Sequence, residues 1–151
     1  MKFKDYPIQQ EIKDQLNRLG FVKPTDIQYR AISPILEGQD VMAVAQTGTG
    51  KTAAFVIPVL EKIIKSKKKS TPSFIQCLVM VPTRELAKQI ASVFNEIGKT
   101  TSVKTLGLIG GVDQESQIKS LQNKVDVLVT TPGRMFDLIS QGYIHLEKFI
   151  P

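Results

Sequence analysis

The segment Ala45-Gln-Thr-Gly-Thr-Gly-Lys-Thr52 concentrates residues able to hold phosphate. Gly48 and Gly50 let the backbone turn so that successive N–H groups converge, and such a nest, backed by a helix N-terminus, cradles a β-phosphate. The Lys51 ammonium can reach β- and γ-phosphates, and the Thr52 hydroxyl can ligate Mg2+. The usual phosphate-loop pattern opens on glycine, where this chain has Ala45. Such a loop needs a strand before it and a helix after it. The apolar run 41–44 is expected as that strand. Ala53, Val56, Leu60, Ile63 and Ile64 mark the helix, with Pro58 expected to kink it. A phosphate loop does not choose a base. Asn123-Lys-Val-Asp126 spells the letters of a guanine reader, but it leads into an apolar run instead of following one, and it is discounted.

Upstream lies Gly20-Phe-Val-Lys-Pro-Thr-Asp-Ile-Gln28. It reads locally as a helix stop, a proline turn and a Thr25-capped helix carrying Gln28. An ordinary helix–helix connection has the same letters. A glutamine amide, however, offers a donor and an acceptor side by side, which matches the N6/N7 edge of adenine, and Phe21 could stack on the base.

The elements that position these residues alternate in type. Runs 41–45, 75–81, 103–109 and 125–130 are short, apolar and continuous, as in a sheet covered on both faces. Between them fall helical stripes: Leu86, Ile90, Val93 and Ile97; Ile118 and Leu121; Met135, Leu138 and Ile139, with Thr131 as N-cap and Pro132 in the first turn. Ile8, Ile12, Leu16 and Leu19 form an N-terminal helix that Gly20 stops. The β-α-β-α order argues for a parallel sheet with helices on both faces.

Composition agrees with one globular domain: 151 residues, 42% hydrophobic and 23% charged. No run reaches the ~18 apolar residues of a membrane span, no secretory signal opens the chain, and Cys77 is the single cysteine. A reducing, cytoplasmic setting is the expectation. The net charge of +6 invites a nucleic-acid reading, but Lys65, Lys67, Lys68 and Lys69 supply much of it, and the run 65–73 is expected as a solvated loop. His145 and Cys77 have no partners at metal-ligand or catalytic spacing and are expected on the surface and in the core.

Taken together, the motifs resemble those of DEAD-box RNA helicases. Residues 3–28 look like the family's Q motif, with Phe3 as its isolated upstream aromatic. Residues 45–52 look like motif I, 82–86 like motif Ia, Gly110-Gly111 like the double-glycine element, and 131–134 like motif Ib. The phosphate loop and the following Ala53-Ala54-Phe55 look most like bacterial members. The resemblance implies a RecA-like P-loop NTPase, a three-layer α/β fold with a mostly parallel sheet. It implies ATP and Mg2+ as cofactors. Phe21, Lys23 and Gln28 would hold the adenine, and Gln46, Thr47, Gly48, Thr49, Gly50, Lys51 and Thr52 the phosphates. Lys51 and Thr52 would be the catalytic residues, with Thr52 also on the metal. Thr83, Arg84, Gly110, Gly111, Thr131, Gly133 and Arg134 would hold RNA. Each of these RNA elements follows an expected strand, so all project from one sheet edge, where backbone N–H groups and guanidinium groups suit phosphate oxygens. Such binding would be largely independent of sequence.

No expected strand ends in the carboxylate that phosphoryl transfer needs to hold the Mg2+–water network. Runs 75–81 and 125–130 lead into Pro82-Thr83 and Thr131. Against the family pattern, residues 1–151 are therefore expected to be a partial first helicase domain, truncated before the DEAD strand and without the second RecA-like domain. The expectations are no ATP hydrolysis by this chain alone, marginal stability, and self-association through an uncovered sheet edge. The competing readings are a non-catalytic nucleotide- or RNA-binding module and another P-loop NTPase, such as a DNA helicase or a GTPase.

Overall fold

Three of the four apolar runs expected as strands pair into a sheet. They are β1 (Cys77–Met80), β2 (Thr105–Leu108) and β3 (Val127–Thr130), all parallel, in the order β1-β3-β2. The structure is a computed structural model that describes residues 1–70, 74–111 and 113–145. Among these residues a 3-10 turn (Phe3–Asp5) precedes α1 (Gln10–Arg18), α2 (Asp26–Leu36) and α3 (Lys51–Lys69). The strands alternate with α4 (Arg84–Ile97), α5 (Gln114–Gln122) and α6 (Pro132–Ser140). The end of the chain, on which the expected truncation rests, lies outside the described residues from 146 onward.

The two-residue alternation of strand side chains builds two cores. Cys77, Val79, Val127 and Val129 face a large cluster that includes Leu60 of α3 and Phe94 of α4. Leu78, Leu106 and Leu128 face a smaller cluster with Ile118 of α5 and Met135 and Leu138 of α6. The sheet is thus covered on both faces, and its central strand β3 is fully buried. This is the expected three-layer arrangement.

The run 41–45 does not become a strand. Residues 41–46 are irregular, and Met42 and Val44 are 94% and 89% exposed. A strand exists through ladder hydrogen bonds to a neighbour, and none of the described strands lies beside this segment. Among the described residues β1 pairs only with β3, which leaves its other edge without a strand neighbour there, and Met80 at its end is 50% exposed.

The lysine run also differs from expectation. Residues 65–69 continue α3 instead of forming a loop. Adding a turn to an existing helix needs no new nucleus, and lysines suit a helix C-terminus. Lys65 lies 3.5 Å from Glu61, and Lys68 donates to the Gln9 side chain. Lys67 is drawn inward: its Nζ donates to Asp126 Oδ2 and to the Ser102 carbonyl, each at 2.9 Å. Asp126 is 1% exposed and gathers the starts of all three strands. Its carboxylate accepts from Lys104 N at 2.9 Å and Gln76 Nε2 at 3.4 Å, and its carbonyl accepts from Cys77 N.

Candidate functional site

The phosphate loop forms without a preceding strand. Gly48 and Gly50 both have φ +84, the left-handed region that glycine enters without a Cβ penalty. Gly50 is the N-cap of α3 and brings no side-chain oxygen, so the first N–H groups of the helix await an acceptor. Thr49 Oγ1 donates to the Gln46 carbonyl at 2.6 Å and closes the loop on itself. Gln46, Thr47 and Lys51 are exposed, and Thr52 is half-buried. These donors, with one hydroxyl oxygen, match the chemistry of nucleotide phosphates and their metal.

The expected base-reading segment packs against this loop. Thr25 caps α2 as foreseen: its Oγ1 accepts from Gln28 N at 3.4 Å, and Gln28 Oε1 accepts from Thr25 N at 3.0 Å. Gln28 Nε2 then donates to the Gly50 carbonyl at 3.1 Å. The contact is close enough that a Cβ added to Gly50 would lie 2.5 Å from Gln28 Nε2. Gln28 is therefore 2% exposed and links α2 to the phosphate loop, rather than standing open to a base. Each end of its amide retains capacity for one further bond. Phe21 is 37% exposed and meets the buried Phe3 edge-on at 6.2 Å, so Phe3 supports Phe21 from behind. Lys23 is exposed. A cavity of about 360 Å3 lies between Thr25, Ile27 and Arg30 on one side and Val44, Ala45 and Thr49 on the other.

A second group of expected residues gathers at the C-terminal edge of the sheet. Met80, Thr130 and Leu108 are in register, so the chain leaves all three strands at one level. Thr83 and Arg84 follow β1, Gly110 and Gly111 follow β2, and Thr131, Gly133 and Arg134 follow β3. Thr83 caps α4 by accepting from Leu86 N at 3.2 Å. Thr131 precedes Pro132 at the start of α6 but makes no side-chain cap bond. The Arg84 guanidinium lies over the double glycine, and a Cβ on Gly111 would stand 3.1 Å from Arg84 Cζ. With φ +78, the Gly111 backbone favours glycine, and a side chain there would also have to displace the exposed Arg84 guanidinium.

Residues 25–150 match the DEAD/DEAH box helicase family. The chain belongs to that family. It is 42% identical over 147 residues to the ATP-dependent RNA helicase eIF4A of Scheffersomyces stipitis, an alignment covering 97% of this chain and 36% of that protein. It is also 42% identical to the DEAD-box ATP-dependent RNA helicase CshA of Geobacillus kaustophilus, covering 96% and 30%. The crystal structure of a DEAD box protein from Methanococcus jannaschii superposes with a TM-score of 0.87 at 34% identity, covering 97% of this chain and 39% of that one. The chain spans about a third of the length of these relatives. The relatives from Scheffersomyces stipitis and Geobacillus kaustophilus match at the same 42% identity, so these likenesses do not assign the chain to bacterial members.

The structure brings the motif residues into two groups, and the family pattern did not point to polar side chains that hold elements together. Glu61, 1% exposed, accepts from Gln9 N at 2.8 Å and ties the N-terminal segment to α3. Asp126, discounted as a guanine reader, sits at the N-terminal ends of the strands, the opposite edge from the Arg84–Gly111 group. Among the described residues no cluster of three His, Cys, Asp or Glu could hold a metal, and no helix is long and apolar enough to cross a membrane. Cys77 is part-buried on the edge strand, and burial pushes its thiol up to about 11.

Proposed function

We propose that residues 1–151 bind ATP and the RNA backbone as the first ligand-holding portion of an ATP-dependent RNA helicase. The observation that carries this reading is the Gln28–Gly50 hydrogen bond, which couples the base-reading segment to the phosphate loop. Family membership and relatives that are RNA helicases support the assignment. The helix α3 N-terminus and Lys51 would take the phosphates, and Phe21 would stack on adenine. The spare donor and acceptor of Gln28, uncovered on binding, would read its edge. The Thr52 hydroxyl would help hold Mg2+, which would supply positive charge against the nucleotide phosphates. Arg84, the Gly110–Gly111 amides and the start of α6 would hold successive RNA phosphates, a largely sequence-independent grip.

Turnover is a separate matter. Among the described residues no strand ends in a carboxylate: β1 leads to Val81, β2 to Ile109 and β3 to Thr131. We infer that the 151-residue chain binds without hydrolysing. An ATPase assay with and without single-stranded RNA tests this, with Lys51→Ala as control. Phosphate release that RNA stimulates and Lys51→Ala abolishes would overturn it.

A further inference from the structure

We propose that Gln117 is the positioning residue of the Gly110–Gly111 contact. Acting through the Ile109 carbonyl, it fixes where the glycine amides and the Arg84 guanidinium stand relative to a bound RNA backbone. The inference rests on the RNA reading of that loop given above.

Gln117 lies one turn into α5 and is 6% exposed. Its Nε2 donates to the carbonyl of Ile109 at 3.0 Å, a bond buried at both ends. Ile109 is the residue between β2 and the two glycines. The donor is rigidly delivered: Gln117 N bonds the Asp113 carbonyl at 3.3 Å, and the Asp113 carboxylate accepts from Glu115 N at 3.3 Å and Ser116 N at 3.2 Å. The other end of the same amide is left wanting. Gln117 Oε1 is buried with no hydrogen-bond partner. An orphaned buried oxygen is unfavourable, and leucine would fill a similar space without it. What glutamine supplies here is therefore the N–H for Ile109.

That bond has a consequence at the sheet edge. Gly111 adopts φ +78, and the Arg84 guanidinium occupies the space a Cβ would need. The exposed Arg84 guanidinium stands beside the glycine turn. A displacement of Ile109 moves the two amides relative to that cation. The amide of α5 thus sets the spacing of phosphate-binding groups contributed by two different strand ends.

The test compares the 151-residue chain with Gln117→Leu and Gln117→Glu. Amide exchange at Gly110 and Gly111 is read without RNA. Affinity for a single-stranded oligonucleotide is read against KCl and pH, and ADP affinity serves as the control. For Gln117→Leu we expect faster exchange at both glycines, RNA binding weaker by about fivefold, as for loss of one modest hydrogen bond, and a salt slope shallower by ~0.7, one phosphate contact. ADP affinity stays unchanged. For Gln117→Glu, RNA affinity should recover as pH falls, because a protonated carboxyl again donates to Ile109 whereas a carboxylate repels it. Wild-type exchange and an unchanged salt slope in Gln117→Leu would overturn the proposal, as would equal loss of ADP and RNA binding, which signals general destabilisation. If the parent chain binds no RNA while exchange at the glycines still responds to Gln117→Leu, the RNA reading fails and the positioning role stands.

Discussion

Removing the Asp126 carboxylate should cost this chain a large share of its stability. Asp126 and Lys67 meet at 2.9 Å with side-chain exposures of 2% and 14%, so water screens the pair weakly. Asp126→Ala leaves the Lys67 ammonium with only the Ser102 carbonyl, and it strips Lys104 N and Gln76 Nε2 of their acceptor. An uncompensated buried charge costs about 3–5 kcal/mol, and an orphaned backbone N–H adds about 1–3 kcal/mol. Domains of this size are stable by only about 5–15 kcal/mol. Lys67→Met should cost a similar ~3–5 kcal/mol, because it leaves the carboxylate buried without its counter-charge. The double variant Lys67→Met with Asp126→Asn retains an oxygen for Lys104 N and removes both charges, so it should fall far less than the two single losses added together. Urea unfolding followed by far-UV circular dichroism gives each value, with the m-value checked for constancy. Losses below ~1 kcal/mol in both single variants would place the pair among solvent-screened surface bridges and refute the reasoning.

Three further outcomes follow from particular contacts. Gly50→Ala should destabilise more than Gly48→Ala: both glycines have φ +84, but only at Gly50 does the added Cβ meet Gln28, at 2.5 Å, and calorimetric titration should show ADP binding at least tenfold weaker, a ~1.4 kcal/mol effect. The Cys77 thiol, raised by burial from 9.0 to about 11, should be alkylated slowly near neutral pH, with a rate that climbs toward a midpoint near 11; because its folded pKa exceeds the unfolded one, its contribution to stability is complete below pH 9.0 and is lost as pH rises to about 11. A rate profile centred near 9.0 would mean the thiol is solvated. The β1 edge left unpaired among the described residues, together with Met42 and Val44, 94% and 89% exposed elsewhere on the surface, should drive concentration-dependent self-association in sedimentation equilibrium, and a monomer at high micromolar concentration would contradict this.

Periodicity and motif order made much of the fold legible in the sequence, along with the grouping of the motif residues into two clusters. The helix stripes, the Thr25 cap and the three parallel strands follow from local chemistry that the structure keeps. Residues 41–45 show where that reasoning stops: an apolar run specifies a willingness to be a strand, but the ladder partner must come from elsewhere in the chain. The lysines failed differently. Composition cannot see that Asp126, 59 residues from Lys67, will stand beside it in the interior. Gln28 was recognised by its motif, yet its engagement with Gly50 depends on a contact 22 residues away that spacing does not encode. Gln117 carried no signal at all, since its value lies in one buried bond to Ile109.

The most direct test of the central claim is equilibrium binding of ADP and GDP, each with Mg2+, to the 151-residue chain. The structure joins the Thr25–Gln28 segment to the glycine loop through Gln28 and Gly50, and the proposed nucleotide site predicts that ADP binds well, GDP at least tenfold more weakly, and that Gln28→Ala narrows the difference. Equal affinity for both nucleotides, with Gln28→Ala without effect, would contradict it.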